Sequence, residues 1–153
     1  MSNTHTATTT AGTDQGRRLA RLRMSSLGLV TMLILQFVLG MLYNLYGTAP
    51  TASKSVGMFS SPVLALHVIL FFLLVIAGVM QLIRAVGAHH GLTAGMSAVG
   101  LLAILAAGFA GMGFLSKGAD GASLGMSLAF AVALACYVVL LAVLPSPARS
   151  STT

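Results

Sequence analysis

PVLALHVILFFLLVIAGVMQLI, residues 62–83, runs from a proline to the residue before Arg84 without one charged side chain. As a helix rising about 1.5 Å per residue, it covers the roughly 30 Å hydrocarbon core of a bilayer. The stretches on either side repeat the pattern. No Lys, Arg, Asp or Glu lies between Arg23 and Lys54, between Lys54 and Arg84, between Arg84 and Lys117, or between Asp120 and Arg149. With 57% apolar and 7% charged residues in a chain of 153, this is the composition of one membrane domain and not of a soluble core. The reading is an all-α polytopic four-helix bundle with spans near 24–46, 62–86, 92–114 and 123–144.

The flanks follow from the same chemistry. Pro62 suits the first turn of a helix, where its missing amide would have no partner anyway. Pro145 and Pro147 stop the fourth span. Residues 1–23 are rich in threonine and end in Arg17, Arg18, Arg21 and Arg23, which predicts a disordered basic tail; residues 145–153 form a second, short tail. The first apolar run, Leu27 to Leu42, exceeds the core of a secretion signal, and Pro50 follows the small residues Gly47, Thr48 and Ala49. A retained anchor is the expectation.

A net charge of +6 raises the question of nucleic acid until the charges are placed. The four arginines at 17, 18, 21 and 23 precede the first span, as anchors to an anionic lipid surface do, so the expected partner is the bilayer and not nucleic acid. Four spans return the chain to its starting side. Arg84 and Arg149 join the four arginines there, leaving only Lys54 and Lys117 opposite. The positive-inside rule then puts both termini in the cytoplasm, with a bacterial inner membrane as the expected home. The lone Cys136 lies in the fourth span, which leaves no intramolecular disulfide and no cysteine metal site.

Polar side chains in lipid are costly and mark candidate sites. Here they are Gln36, Asn44, His67, Gln81, Ser97, Ser127 and Tyr137. On span two, His67, Phe71, Leu74, Gly78, Gln81 and Ala85 alternate steps of four and three and share one helical face. On span one, Gly28, Met32, Gln36, Gly40 and Asn44 step by four. By depth, Asn44 and Tyr43 should stand beside His67, giving a polar cluster of His67, Asn44, Tyr43, Gln36 and Gln81.

His67 has two readings: a structural histidine bonded to Asn44, Tyr43 or water near the outer interface, or a functional one serving as an axial ligand for haem b, a quinone contact or a proton site. Bis-histidine haem needs a second ligand at like depth. His5 is in the tail, and His89 and His90 lie about 33 Å further along an unbroken helix, so only a symmetric dimer could supply one. The adjacent His89 and His90 diverge by about 100° on a helix and have no carboxylate nearby, so no metal is expected there. Asp14 and Asp120 are the only acids and both lie outside the spans. Neither a proton-coupled exchange carboxylate nor a hydrolytic triad can therefore be assembled within the membrane.

Spans three and four carry a packing pattern. Ala103, Ala107 and Gly111 recur every four residues, as do Gly125, Ala129 and Ala133, and small residues at that spacing allow close helix approach in lipid. The short connection from Ser116 to Gly121 predicts a tight helical hairpin.

The stretch from Gly108 through Phe109, Ala110, Gly111, Met112, Gly113, Phe114 and Leu115, then Ser123 to Tyr137, resembles a set of small four-span membrane proteins common in actinobacteria and without an assigned function. The similarity extends to the Gln36–Tyr46 end of span one and to the region of His67. Those proteins often carry Gly-Phe-Asn-Gly where Ala110 here replaces the asparagine. The resemblance implies fold and membrane location alone.

Taken together, the residues favour a non-enzymatic accessory or packing subunit that forms a homo-oligomer or joins a larger membrane-protein complex. A haem b or quinone-binding redox subunit using His67 is the alternative, and a small channel or carrier the lesser one.

Overall fold

The computed structural model describes residues 4–48, 50–51, 53–88, 91–118 and 120–144, with the helical backbone alone at 4–14 and 120. His89, His90, Pro145, Pro147, Arg149 and the tail 145–153 lie outside the described residues. The chain forms four helices: α1 (Thr4–Tyr46), α2 (Pro62–Gly87), α3 (Gly91–Lys117) and α4 (Asp120–Val143). All four are long and apolar enough to cross a membrane. The chain is a multi-pass membrane four-helix bundle.

α1 packs on α2 and α4, and α3 packs on α2 and α4. Among the described residues, neither diagonal pair brings its backbones into contact. The helices therefore stand in a square, each antiparallel to the next, with the α3–α4 hairpin the most extensive interface. A chain of short connections gives this up-and-down order directly.

The helix ends are written in the sequence. Ser61 has extended backbone (φ −143°, ψ 154°), its hydroxyl accepts from the Leu64 amide at 3.2 Å, and Pro62 opens α2. Gly118 turns α3 into α4 at φ 61°, in the left-handed region that favours glycine. A side chain there would also meet the Pro50 carbonyl, because the α1–α2 connection crosses that end of the bundle. This connection is pinned by a pair of bonds between Thr51 and Lys54 at 3.0 and 3.1 Å, and by the Val56 amide donating to the Leu115 carbonyl at 3.0 Å.

α1 differs from expectation at its start. Composition predicts disorder before residue 24, yet the backbone is helical from Thr4. Residues 4–23 contain no proline, and helix elongation from an already formed span avoids the unfavourable nucleation step. At about 1.5 Å per residue α1 is roughly 65 Å long, so one end projects beyond a bilayer. Its entry into the core is also earlier than residue 24: Leu22 is buried with Ala85 of α2 and Leu140 and Leu144 at the end of α4.

The interior of α2 is the stripe read from the sequence, with Leu74, Gly78, Gln81 and Ala85 all buried. On α1 the interior stripe is Leu22, Ser26, Leu29 and Leu33, continuing through half-buried Gln36 and Gly40. The steps of four from Gly28 to Asn44 do not stay inside, and both of those residues are exposed. Each such step overshoots a 3.6-residue turn by about 40°, so the row winds out of the interface.

Candidate functional site

Four fully buried polar side chains, one from each helix, share one level of the bundle: Ser26, Gln81, Ser97 and Tyr137. Gln81 lies six residues before the end of α2, Ser97 six after the start of α3, and Tyr137 six before the end of α4. Those ends all belong to the face that carries the start of the first span, so the three backbones sit about 9 Å in from it. Ser26 is placed at the same level by its bond to Gln81.

Within this layer the Gln81 amide nitrogen donates to the Ser26 hydroxyl at 2.8 Å and approaches the Leu22 carbonyl at 3.4 Å. The carbonyl oxygen of Gln81, the Ser97 hydroxyl and the Tyr137 hydroxyl have no partner among the described residues. Tyr137 leans back toward the middle of the bilayer, as side chains on helices lean toward the N-terminus. Its ring lies on Gly100 of α3, where an added Cβ would come within 2.9 Å of the ring, and its hydroxyl stands 3.4 Å from the same construction at Gly78 of α2. One side chain of α4 thus touches both α3 and the diagonally opposite α2.

The sequence-proposed cluster divides. His67 packs on Gly40 of α1, its Cε1 3.4 Å from where a Cβ would stand, with the Gln36 backbone close by. Its Nδ1 and the side-chain oxygen of Gln36 are both buried without a partner among the described residues. His67 and Gln36 are therefore brought together. Asn44 is exposed, and Tyr43 turns its hydroxyl to the Thr48 carbonyl at 2.9 Å, so neither serves His67. Gln81 belongs to the other layer, four turns along α2 from His67.

On the α3–α4 hairpin, Gly111 lies against Met126, and Ala110 against Gly125. These contacts set an antiparallel register in which Ala103, Ala107 and Gly111 stand across from Ala133, Ala129 and Gly125 in turn. Gly108 serves another helix: it admits the Phe71 ring of α2, which a Cβ there would strike. α1 meets α4 in the half away from the polar layer through stacked Phe37 and Phe130, ring centres 5.4 Å apart. At the outer end of the arginine-bearing face, Arg17, Arg18 and Arg21 are exposed and Arg23 is half-buried.

Ser26, Gly78, Gly100 and Gly108 were not among the residues that the sequence marked as a site. Ser26 carried one available signal, the four-and-three spacing it shares with Leu22, Leu29 and Leu33. The roles of Gly100 and Gly108 depend on which aromatic ring arrives from another helix, and no spacing within α3 reveals that.

Among the described residues, no three His, Cys, Asp or Glu side chains are grouped to hold a metal ion. No family model matches the chain, and no curated protein or solved structure is significantly similar to it. The class defined by fold and site is a multi-pass integral membrane bundle with a buried polar layer.

Proposed function

We propose that the chain is a non-enzymatic membrane subunit that works by helix–helix association, first of all with a second copy of itself. The carrying observation is the division of α4 into two small-residue faces. Ala133 is buried inside the bundle, whereas Ser127, Ala131 and Ala135 are exposed at four-residue spacing. The Ser127 hydroxyl donates to the Ser123 carbonyl at 3.0 Å, within its own helix, so the outer row presents little more than methyl-sized groups. Rows of this kind let transmembrane backbones approach closely where lipid removes the hydrophobic drive. The interior supports the same reading. Tyr137 spans from α4 to Gly100 and Gly78, and Leu74 and Ile104 fill the surrounding core, which suits a packing element more than a conduit. Cysteine crosslinking through the outer row in native membranes tests the proposal.

The arginine-rich face, in this reading, is cytoplasmic and the membrane is a bacterial inner membrane; the distribution of Arg17, Arg18, Arg21, Arg23 and Arg84 supports the orientation.

One observation favours a second reading. The buried Nδ1 of His67 has no partner among the described residues, which suits donation to a quinone carbonyl, while a haem b iron would take Nε2 of the same ring. An absorption band in the extracted protein that disappears in His67→Gln would establish it. A colourless preparation with unchanged stability in His67→Gln would assign the residue to packing.

A further inference from the structure

The arginine-bearing end of the bundle contains a second polar feature, outside the buried layer and independent of self-association. An open groove of about 680 Å³ lies between α1 and α2, lined by Ala20, Arg21, Met24, Ser25 and Arg84. Arg84 reaches across from α2, its Nη1 donating to the Ser25 hydroxyl at 3.4 Å, so its guanidinium is held over the groove. Arg21 stands one turn before Ser25 on α1 and faces the same space. Two guanidiniums and one hydroxyl therefore line a single depression.

Below this polar rim the surface becomes apolar toward the bilayer centre. Met24, within the groove, is 62% exposed, and Ile76, two turns along α2 from Arg84, is 61% exposed. Met80, one turn along α2 from Arg84, lies between these levels and is also exposed. A cationic pocket above an apolar track matches an amphiphile with an anionic head and a hydrocarbon tail. Guanidinium groups bind phosphate oxygens through paired, directed N–H donors. Basic pockets between transmembrane helices are sites for lipid headgroups.

We propose that this groove binds the phosphate of one anionic phospholipid, through Arg21, Arg84 and Ser25, with an acyl chain lying along Met24, Met80 and Ile76. This differs from diffuse attraction of the basic segment to a charged surface. Arg17 and Arg18 lie outside the groove, and Arg23 is turned about 200° around α1 from Arg21.

The test is native mass spectrometry of the full chain, delipidated in detergent and titrated with phosphatidylglycerol, phosphatidylcholine or inorganic phosphate. The expected result is retention of one phosphatidylglycerol per chain in preference to phosphatidylcholine. Arg21→Gln and Arg84→Gln should each weaken retention roughly fivefold, from about 1 kcal/mol per basic residue near the lipid surface. Arg17→Gln with Arg18→Gln should leave it unchanged. Equal retention of phosphatidylcholine, equal loss in the Arg17/Arg18 pair, or no retained lipid would overturn the site. Displacement of the lipid by millimolar inorganic phosphate would make it a free-phosphate site and overturn the lipid assignment. Arg21 is exposed on a helix surface, so its variant remains informative even if Arg84→Gln perturbs the fold.

Discussion

The side-chain amide of Gln81 donates to the hydroxyl of Ser26 at 2.8 Å, joining α2 to α1 between two residues that have no solvent exposure. In lipid, such bonds contribute less than their isolation suggests, because an unfolded chain in the membrane also finds partners. Their consequence is directional: the bond fixes the rotation and height of α1 against α2, which apolar packing alone specifies loosely.

A double-mutant cycle on Ser26→Ala and Gln81→Leu measures that coupling. The expected value is about 0.6 kcal/mol, and below about 1.7 kcal/mol, from unfolding of the purified protein. Ser26→Ala alone should be the more harmful single change, since it leaves a buried amide donor unpaired. A coupling indistinguishable from zero would mean that the two side chains do not depend on each other.

The α2 half of this pair was legible in the sequence and the α1 half was not. Alternation of fours and threes from His67 to Ala85 keeps one face inward, so Gln81 could be assigned to the interior. A row of strict fours through Gln36 and Asn44 drifts around α1, and Ser26 does not lie on it. Four spans and the α3–α4 hairpin were legible from charge and turn residues. The resting of Tyr137 on Gly100 was not, because it needs the vertical register between helices. That register is set by contacts such as Gly111 with Met126. The helical start of α1 was hidden by a polar composition that lacks a core to bury but has a span to extend.

Tyr137 and Gly100 give a second prediction. Gly100→Ala would put a methyl group 2.9 Å from the ring, and overpacking of this kind costs about 1–3 kcal/mol. The Tyr137 hydroxyl has no partner among the described residues, so Tyr137→Phe should leave thermal stability in detergent unchanged or raise it. Combining Gly100→Ala with Tyr137→Leu should recover part of the loss. A marked drop in melting temperature for Tyr137→Phe would show that the hydroxyl is satisfied.

Topology is open to direct measurement. In a Cys136→Ala background, Thr51→Cys lies on the connection that crosses the face opposite the arginines. It should react with a membrane-impermeant thiol reagent added to intact cells. Gln15→Cys, on the arginine side, should react only after the membrane is opened. The reverse pattern would invert the orientation that the arginines support.

Self-association through α4 is the central claim, and oxidative crosslinking in native membranes tests it most directly. With Cys136 replaced by alanine, Ala131→Cys and Ala135→Cys should each yield a disulfide-linked dimer, because both point outward from α4. Ile76→Cys, also exposed but on α2, should remain monomeric under the same conditions. Ala131→Leu should abolish the link formed through Ala135→Cys by holding the backbones apart. Monomer at both α4 positions, or crosslinking at Ile76→Cys as strong as at Ala131→Cys, would contradict the account.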